Sequence, residues 1–164
     1  ISFFKNWEGI NMADTYSQIY THIIFTVRGK ENLIPKRHKD ELFKYITGIV
    51  TRRGQKLIRI NGMSDHLHIL IGLKPSMRLS DLVRDIKSNS SKFINDGRWV
   101  RGKFAWQNGF GAFSYGHSQL DRVIQYIENQ ERHHKKYAFK EEYLNFLRLF
   151  NVSINEKYLF KWIE

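Results

Sequence analysis

The spacing of apolar and polar positions divides the chain into short strand-like runs and longer helical ones. Tyr20-Thr21-His22-Ile23-Ile24-Phe25-Thr26-Val27 is β-branched and aromatic and ends at Arg28-Gly29-Lys30, which predicts a first strand. Pro35 suits the first position of a helix, where a missing N–H is no loss. Leu42, Phe43, Ile46, Ile49 and Val50 then keep helical period up to Gly54. Leu57-Ile58-Arg59-Ile60 and the run from His66 to Gly72 read as two strands joined through Asn61-Gly62-Met63-Ser64. Ser80 predicts the cap of a second long helix with Leu82, Val83, Ile86 and Phe93 inward and Arg84, Lys87, Ser88, Ser91 and Lys92 on the outer side. Gly109 and Gly111 introduce a short strand over 112–115. Leu120, Val123, Ile124 and Ile127 recur at helical spacing after it.

The order strand, helix, strand, strand, helix, strand, helix predicts an α+β fold, a ferredoxin-like split βαβ arrangement with an antiparallel sheet and helices packed on one face. Two pieces follow. Residues 141–150 are amphipathic and pack on the body or on a partner subunit; residues 152–164 carry Tyr158, Leu159, Phe160, Trp162 and Ile163, too apolar for a free tail, and are expected to dock. Residues 1–11 read as an N-terminal extension and 12–164 as a single domain, since 164 residues with 41% hydrophobic content can bury one substantial core.

Within this pattern, Asp65-His66-Leu67-His68-Ile69-Leu70-Ile71 carries the chemistry. A strand points residues i and i+2 to one face, so His66 and His68 project side by side while Leu67, Ile69 and Ile71 supply the core face. Such a pair fits either a claw for a divalent cation or a solvated pair. Downstream, Tyr126 and Gln130 are i and i+4, share a helix face offset from the apolar stripe, and can reach one site together. A glutamine offers a neutral oxygen ligand, and a tyrosine hydroxyl beside a metal-polarised phosphate is a nucleophile. Asp65 either orients a metal-bound imidazole or caps the turn.

Four segments in order, Asp65-His66-Leu67-His68, the stretch from Trp106 to Ser114, Tyr126-Ile127-Glu128-Asn129-Gln130 and Arg132-His133-His134, resemble a single-tyrosine transposase of the IS200/IS605 family, within the His-hydrophobe-His nucleases. The likeness spans roughly residues 16–150. It implies a transposase that cleaves and rejoins single-stranded DNA at hairpin-forming element ends. Tyr126 would be the nucleophile of a 5′-phosphotyrosine intermediate, and His66, His68 and Gln130 the ligands of Mg2+ or Mn2+. It also implies a homodimer in which the tyrosine helix of one subunit completes the site of the other. His133 and His134 are then DNA contacts or helix-end cations. Two imidazoles and one amide give a site with no charge of its own.

Composition agrees with this reading. Lys and Arg number 27 against 16 Asp and Glu, a formal charge of +11, which favours an acidic polymer as partner. Arg84, Lys87, Lys92, Arg101 and Lys103 are the expected phosphate contacts, and 15% aromatic residues offer faces for unpaired bases, although most will be core. The absence of cysteine excludes disulfides and thiolate metal sites, and no apolar run reaches membrane-spanning length; a cytoplasmic, nucleoid-associated protein of a prokaryote is expected. A catalytically silent or domesticated single-strand-binding protein of the same fold shares the charge and the aromatics, but binding alone requires none of His66, His68, Tyr126 and Gln130.

Overall fold

The computed structural model describes residues 16–29, 31–136, 138–155 and 159. Four strands form one antiparallel sheet in the order β2-β3-β1-β4: β1 (Tyr20–Thr26), β2 (Lys56–Gly62), β3 (His66–Gly72) and β4 (Gly111–Tyr115). The helices are α1 (Lys39–Arg52), α2 (Leu79–Asp96), α3 (Leu120–Glu128), α4 (Gln130–His134) and α5 (Phe139–Leu149). The expected α+β order is present, and the histidine strand β3 lies inside the sheet.

Alternation along β1 and β3 decides what each sheet face covers. Ile23 and Phe25 of β1, with Leu67, Ile69 and Ile71 of β3, point to one face and meet Leu42, Ile46 and Val50 of α1 and Leu82, Val83, Ile86 and Ile94 of α2. Each such side chain contributes about 1.5–3 kcal/mol when fully buried, so this layer holds the fold. The opposite face carries His22 and Ile24 of β1 and His66, His68 and Leu70 of β3. It is covered too. Val123 and Ile127 of α3 pack on Leu70, while Phe139, Tyr143 and Leu147 of α5 pack on Ile24 and Phe113. The expected packing of helices on one face holds for α1 and α2; α3 to α5 form a second layer on the other face, because Ile24, Leu70 and Phe113 give that face apolar positions to cover, and α5 packs on the body of its own chain.

Several boundaries differ from the sequence reading. Asn61 and Gly62 belong to β2, paired with His68 and Leu67, so the β2–β3 turn is Met63–Asp65. Gly62 is needed there, because a Cβ would lie 2.2 Å from the His66 carbonyl oxygen. Pro35 precedes a single 3-10 turn before α1. Arg78 stands at the cap position of α2 and Ser80 is its second residue, with no side-chain cap bond. Trp99 and Trp106 are buried, Trp106 donating from Nε1 to Ser90 Oγ at 2.9 Å, so neither offers a face for a base. Of the apolar tail, Leu159 packs beside the α5 cluster; Tyr158, Phe160, Trp162 and Ile163, like residues 1–11, lie outside the described residues. No helix among the described residues is long and apolar enough to cross a membrane.

Candidate metal and tyrosine site

β3 is central and hydrogen-bonded on both sides, so the backbone beneath His66 and His68 is rigid, and both imidazoles are fully buried under the α3–α5 layer. Asp65, last residue of the turn, accepts from His66 Nδ1 at 2.6 Å, the contact that the orienting reading requires. Burial would raise the Asp65 carboxyl, but the hydrogen bond and charge of His66 outweigh it and hold it below the usual range.

Tyr126 and Gln130 arrive from above. They do not share one continuous helix: α3 stops at Glu128, Asn129 turns with ψ 21°, and α4 starts at Gln130. Both still face the histidines because the corner is tied to the sheet. Asn61 Nδ2 of β2 donates to the carbonyl oxygens of Ile127 at 2.8 Å and Glu128 at 3.2 Å, two of the helix-end acceptors that α3 leaves open.

The link between the groups is Glu142 of α5, a residue the sequence reading passed over. The Tyr126 hydroxyl donates to Glu142 Oε1, and Gln130 Nε2 donates to the same oxygen at 3.2 Å. Glu142 Oε1 also lies 3.1 Å from His68 Nε2, and Oε2 lies 2.6 Å from His134 Nε2. The signal for it was present: Phe139, Tyr143, Phe146, Leu147 and Phe150 form an apolar stripe at helical spacing, and Glu142 is the one charge inside it. His134 likewise leaves the role of solvated helix-end cation and enters the cluster, with ligand atoms of His66, His68, His134 and Glu142 all within 4.8 Å of one another.

The electron pairs of this cluster suit a cation. With the amide nitrogen of Gln130 engaged by Glu142, its oxygen faces His66 Nε2 at 3.2 Å. His66 Nδ1 points at Asp65, so the lone pair that its neutral imidazole would offer lies on Nε2, toward the Gln130 oxygen. His68 Nε2 is buried and completes no hydrogen bond despite the nearby carboxylate. Two imidazoles, an amide oxygen and a carboxylate make a donor set that Mg2+ or Mn2+ accepts. Glu142 would add a carboxylate to the expected set of two imidazoles and one amide. Burial pushes its carboxyl up to about 7. Burial, reinforced by neighbouring imidazoles, holds His68 and His22 well below the ordinary histidine value.

The five expected phosphate contacts are not at this site. Arg84, Lys87 and Lys92 ride on α2, across the sheet from the histidines. Arg84 pairs with Asp81 at 3.3 Å and Lys92 with Asp96 at 2.5 Å, both pairs at the surface. Lys87 is not fully outward: its Nζ donates to the carbonyls of Gln107, at 2.8 Å, and Gly109, and burial brings it down to about 8. Arg101 and Lys103 are exposed on the loop between α2 and β4.

Residues 15–130 match the family model described as transposase, IS200-like. The ISDra2 transposase TnpA of Deinococcus radiodurans is 22% identical over 120 residues, covering 69% of this chain and 84% of the relative. Among solved structures, a candidate transposase from Deinococcus radiodurans R1 superposes with a TM-score of 0.58 at 21% identity, covering 74% of this chain and 98% of that one. A REP-associated tyrosine transposase bound to a REP hairpin gives 0.54 at 14% identity, over 74% and 72%. The family match runs from the strand that opens the sheet to the glutamine that faces His66, and on that span the chain belongs to the IS200-like transposases.

Proposed function

We propose that the protein cleaves and rejoins single-stranded DNA at hairpin-bearing ends through a 5′-phosphotyrosine formed on Tyr126. The observation that carries this reading is the meeting of a tyrosine hydroxyl with ring nitrogens of His66 and His68 and the amide oxygen of Gln130 around one buried carboxylate. His66, His68 and Gln130 would hold Mg2+ or Mn2+, with Glu142 as a charged fourth donor. Bound there, the ion would neutralise charge developing on the scissile phosphate. Tyr126 Oη attacks the phosphorus, the bond from phosphorus to the 3′-oxygen breaks, and the phenolic proton passes to Glu142 Oε1, already its hydrogen-bond acceptor. The 3′-oxygen departs as a hydroxyl with a proton from solvent. Attack by another 3′-hydroxyl on the phosphotyrosine reverses the step and reseals the strand without ATP.

A single strand is the substrate because one phosphate must reach a strand-borne claw and a helix-borne tyrosine, which base-stacked duplex geometry resists. The relative bound to a REP hairpin supports hairpin-bearing partners. Arg84, Lys87, Lys92, Arg101 and Lys103 would contact flanking phosphates away from the scissile one. The protein would work in the cytoplasm, associated with the nucleoid, as a homodimer with shared active sites. In a single chain Tyr126 already meets its own histidines, so an exchange of tyrosine helices would have to release the Asn61 contacts.

The test is incubation with a hairpin-flanked single strand and Mg2+ or Mn2+, scored for a covalent protein–DNA adduct on a denaturing gel. Wild type should form it. Tyr126→Phe should bind DNA and form none, and His66→Ala with His68→Ala should lose the metal-dependent reaction. An adduct with Tyr126→Phe refutes the nucleophile; an unaltered reaction in the double variant refutes the claw.

A further inference from the structure

His22 is a buried histidine that the mechanism above does not use. It sits on β1 one diagonal step from His68 across the sheet, since His22 pairs with Leu70 and Ile24 with His68, so the two imidazoles rise from the same face. His22 Nε2 lies 2.8 Å from His68 Nδ1, with ring centroids 5.0 Å apart and planes tilted 30°. His22 is fully buried, and its other neighbours are rings: Phe146 edge-on at 5.3 Å, Tyr115 at 6.2 Å and Phe113 at 6.5 Å. Its Nδ1 has no hydrogen-bond partner among the described residues, so its one hydrogen bond goes to His68.

We propose that His22 is a positioning residue that accepts the His68 Nδ1 proton and so keeps the His68 Nε2 lone pair aimed into the site. The inference rests on the metal-site reading above and deepens it. A neutral imidazole carries one N–H and one lone pair, so whichever nitrogen holds the proton leaves the other to bind an ion. His68 Nε2 is the nitrogen in the cluster, within 3.1 Å of Glu142 Oε1 yet without a hydrogen bond to it. For that nitrogen to be a ligand, the proton must sit on Nδ1, and His22 Nε2 is the acceptor placed to hold it there.

The two arms of the claw are therefore oriented by different chemistry. His66 Nδ1 donates to a carboxylate, Asp65, at 2.6 Å, which strengthens the imidazole as a donor. His68 Nδ1 donates to a neutral ring, which fixes the tautomer and adds no charge in the sheet interior.

Long-range 15N correlation spectra of the metal-free protein read the tautomer of His68 directly, and wild type should carry its proton on Nδ1. His22→Phe keeps the ring shape and removes the acceptor: His68 should move toward the Nε2–H form. The Mn2+ concentration that half-quenches the free-ion EPR signal should rise about tenfold or more, the usual loss when such an outer partner of a metal-bound histidine is removed. His22→Gln places an amide oxygen where Nε2 stood and should restore both readouts. A wild-type His68 protonated at Nε2 overturns the proposal without any variant. So does a folded His22→Phe protein with both readouts unchanged, or a folded His22→Gln protein no better than His22→Phe. Wild type that binds no Mn2+ overturns the metal reading instead, and the tautomer measurement still decides the role of His22.

Discussion

The corner that carries Tyr126 and Gln130 hangs on Asn61, and replacing this residue tests how the site is assembled. Asn61→Ala removes two donors, at 2.8 and 3.2 Å, from the carbonyls of Ile127 and Glu128. One such bond contributes about 0.5–1.5 kcal/mol net, and the Glu128 bond is long and exposed, so the loss should be about 1.5 kcal/mol. The bonds of Tyr126 and Gln130 to Glu142 remain. The Arg59–Glu128 ion pair at 3.2 Å is half-exposed on both sides and contributes at most about 1 kcal/mol, and the apolar hold is Val123 and Ile127 on Leu70. Because these bonds tie one local unit to the sheet, their loss should appear as local opening, with amides of α3 and α4 exchanging about tenfold faster by hydrogen-exchange mass spectrometry. Amides of β1 and β3 should not change. The adduct-forming rate should fall by no more than the same factor, with DNA affinity unchanged. Asn61→Asp keeps the shape but cannot donate, and should open the corner at least as far. Unchanged exchange over residues 123–134 would refute the anchoring role, as would equal acceleration through the sheet.

Glu142 gives a stability prediction with a definite sign. Its folded pKa is raised from 4.5 to about 7, so ionisation is penalised in the fold; the penalty is absent below pH 4.5, grows up to pH 7 and is constant above. In the metal-free protein, Glu142→Gln should match wild type near pH 4.5 and exceed it by up to about 3 kcal/mol at pH 8 in denaturant titrations; a pH-independent difference rejects the buried-carboxylate account. Gly62→Ala, which puts a methyl group onto the His66 carbonyl, should destabilise the fold by at least about 2 kcal/mol and shift the His66 NMR signals; a wild-type melting curve and spectrum would contradict the close approach. Reversing Arg101 and Lys103 to Glu should flatten the salt dependence of single-strand binding by roughly 0.7 log units per lost phosphate contact. An unchanged slope would remove both residues from the DNA-binding surface.

The sequence by itself determined what depends on local periodicity. Two-residue alternation put His66 and His68 on one face and Leu67, Ile69 and Ile71 on the other. Helical spacing placed α1, α2, α3 and α5, and the element order limited the topology to a split βαβ sheet with β3 inside. It did not determine which polar groups meet. Glu142 and His134 enter the site only because α5 and α4 fold back over β3, and a charge in an apolar stripe does not say which buried partner meets it. His22 finds His68 through the β1–β3 register, a pairing between residues 46 apart in sequence. Lys87 turns inward because the 107–109 loop offers carbonyls that no helical wheel includes. Side-chain direction within an element is a local property of L-residues on a regular backbone. Desolvation and hydrogen-bond partners belong to the packed whole, where two elements distant in sequence exclude water from the same point.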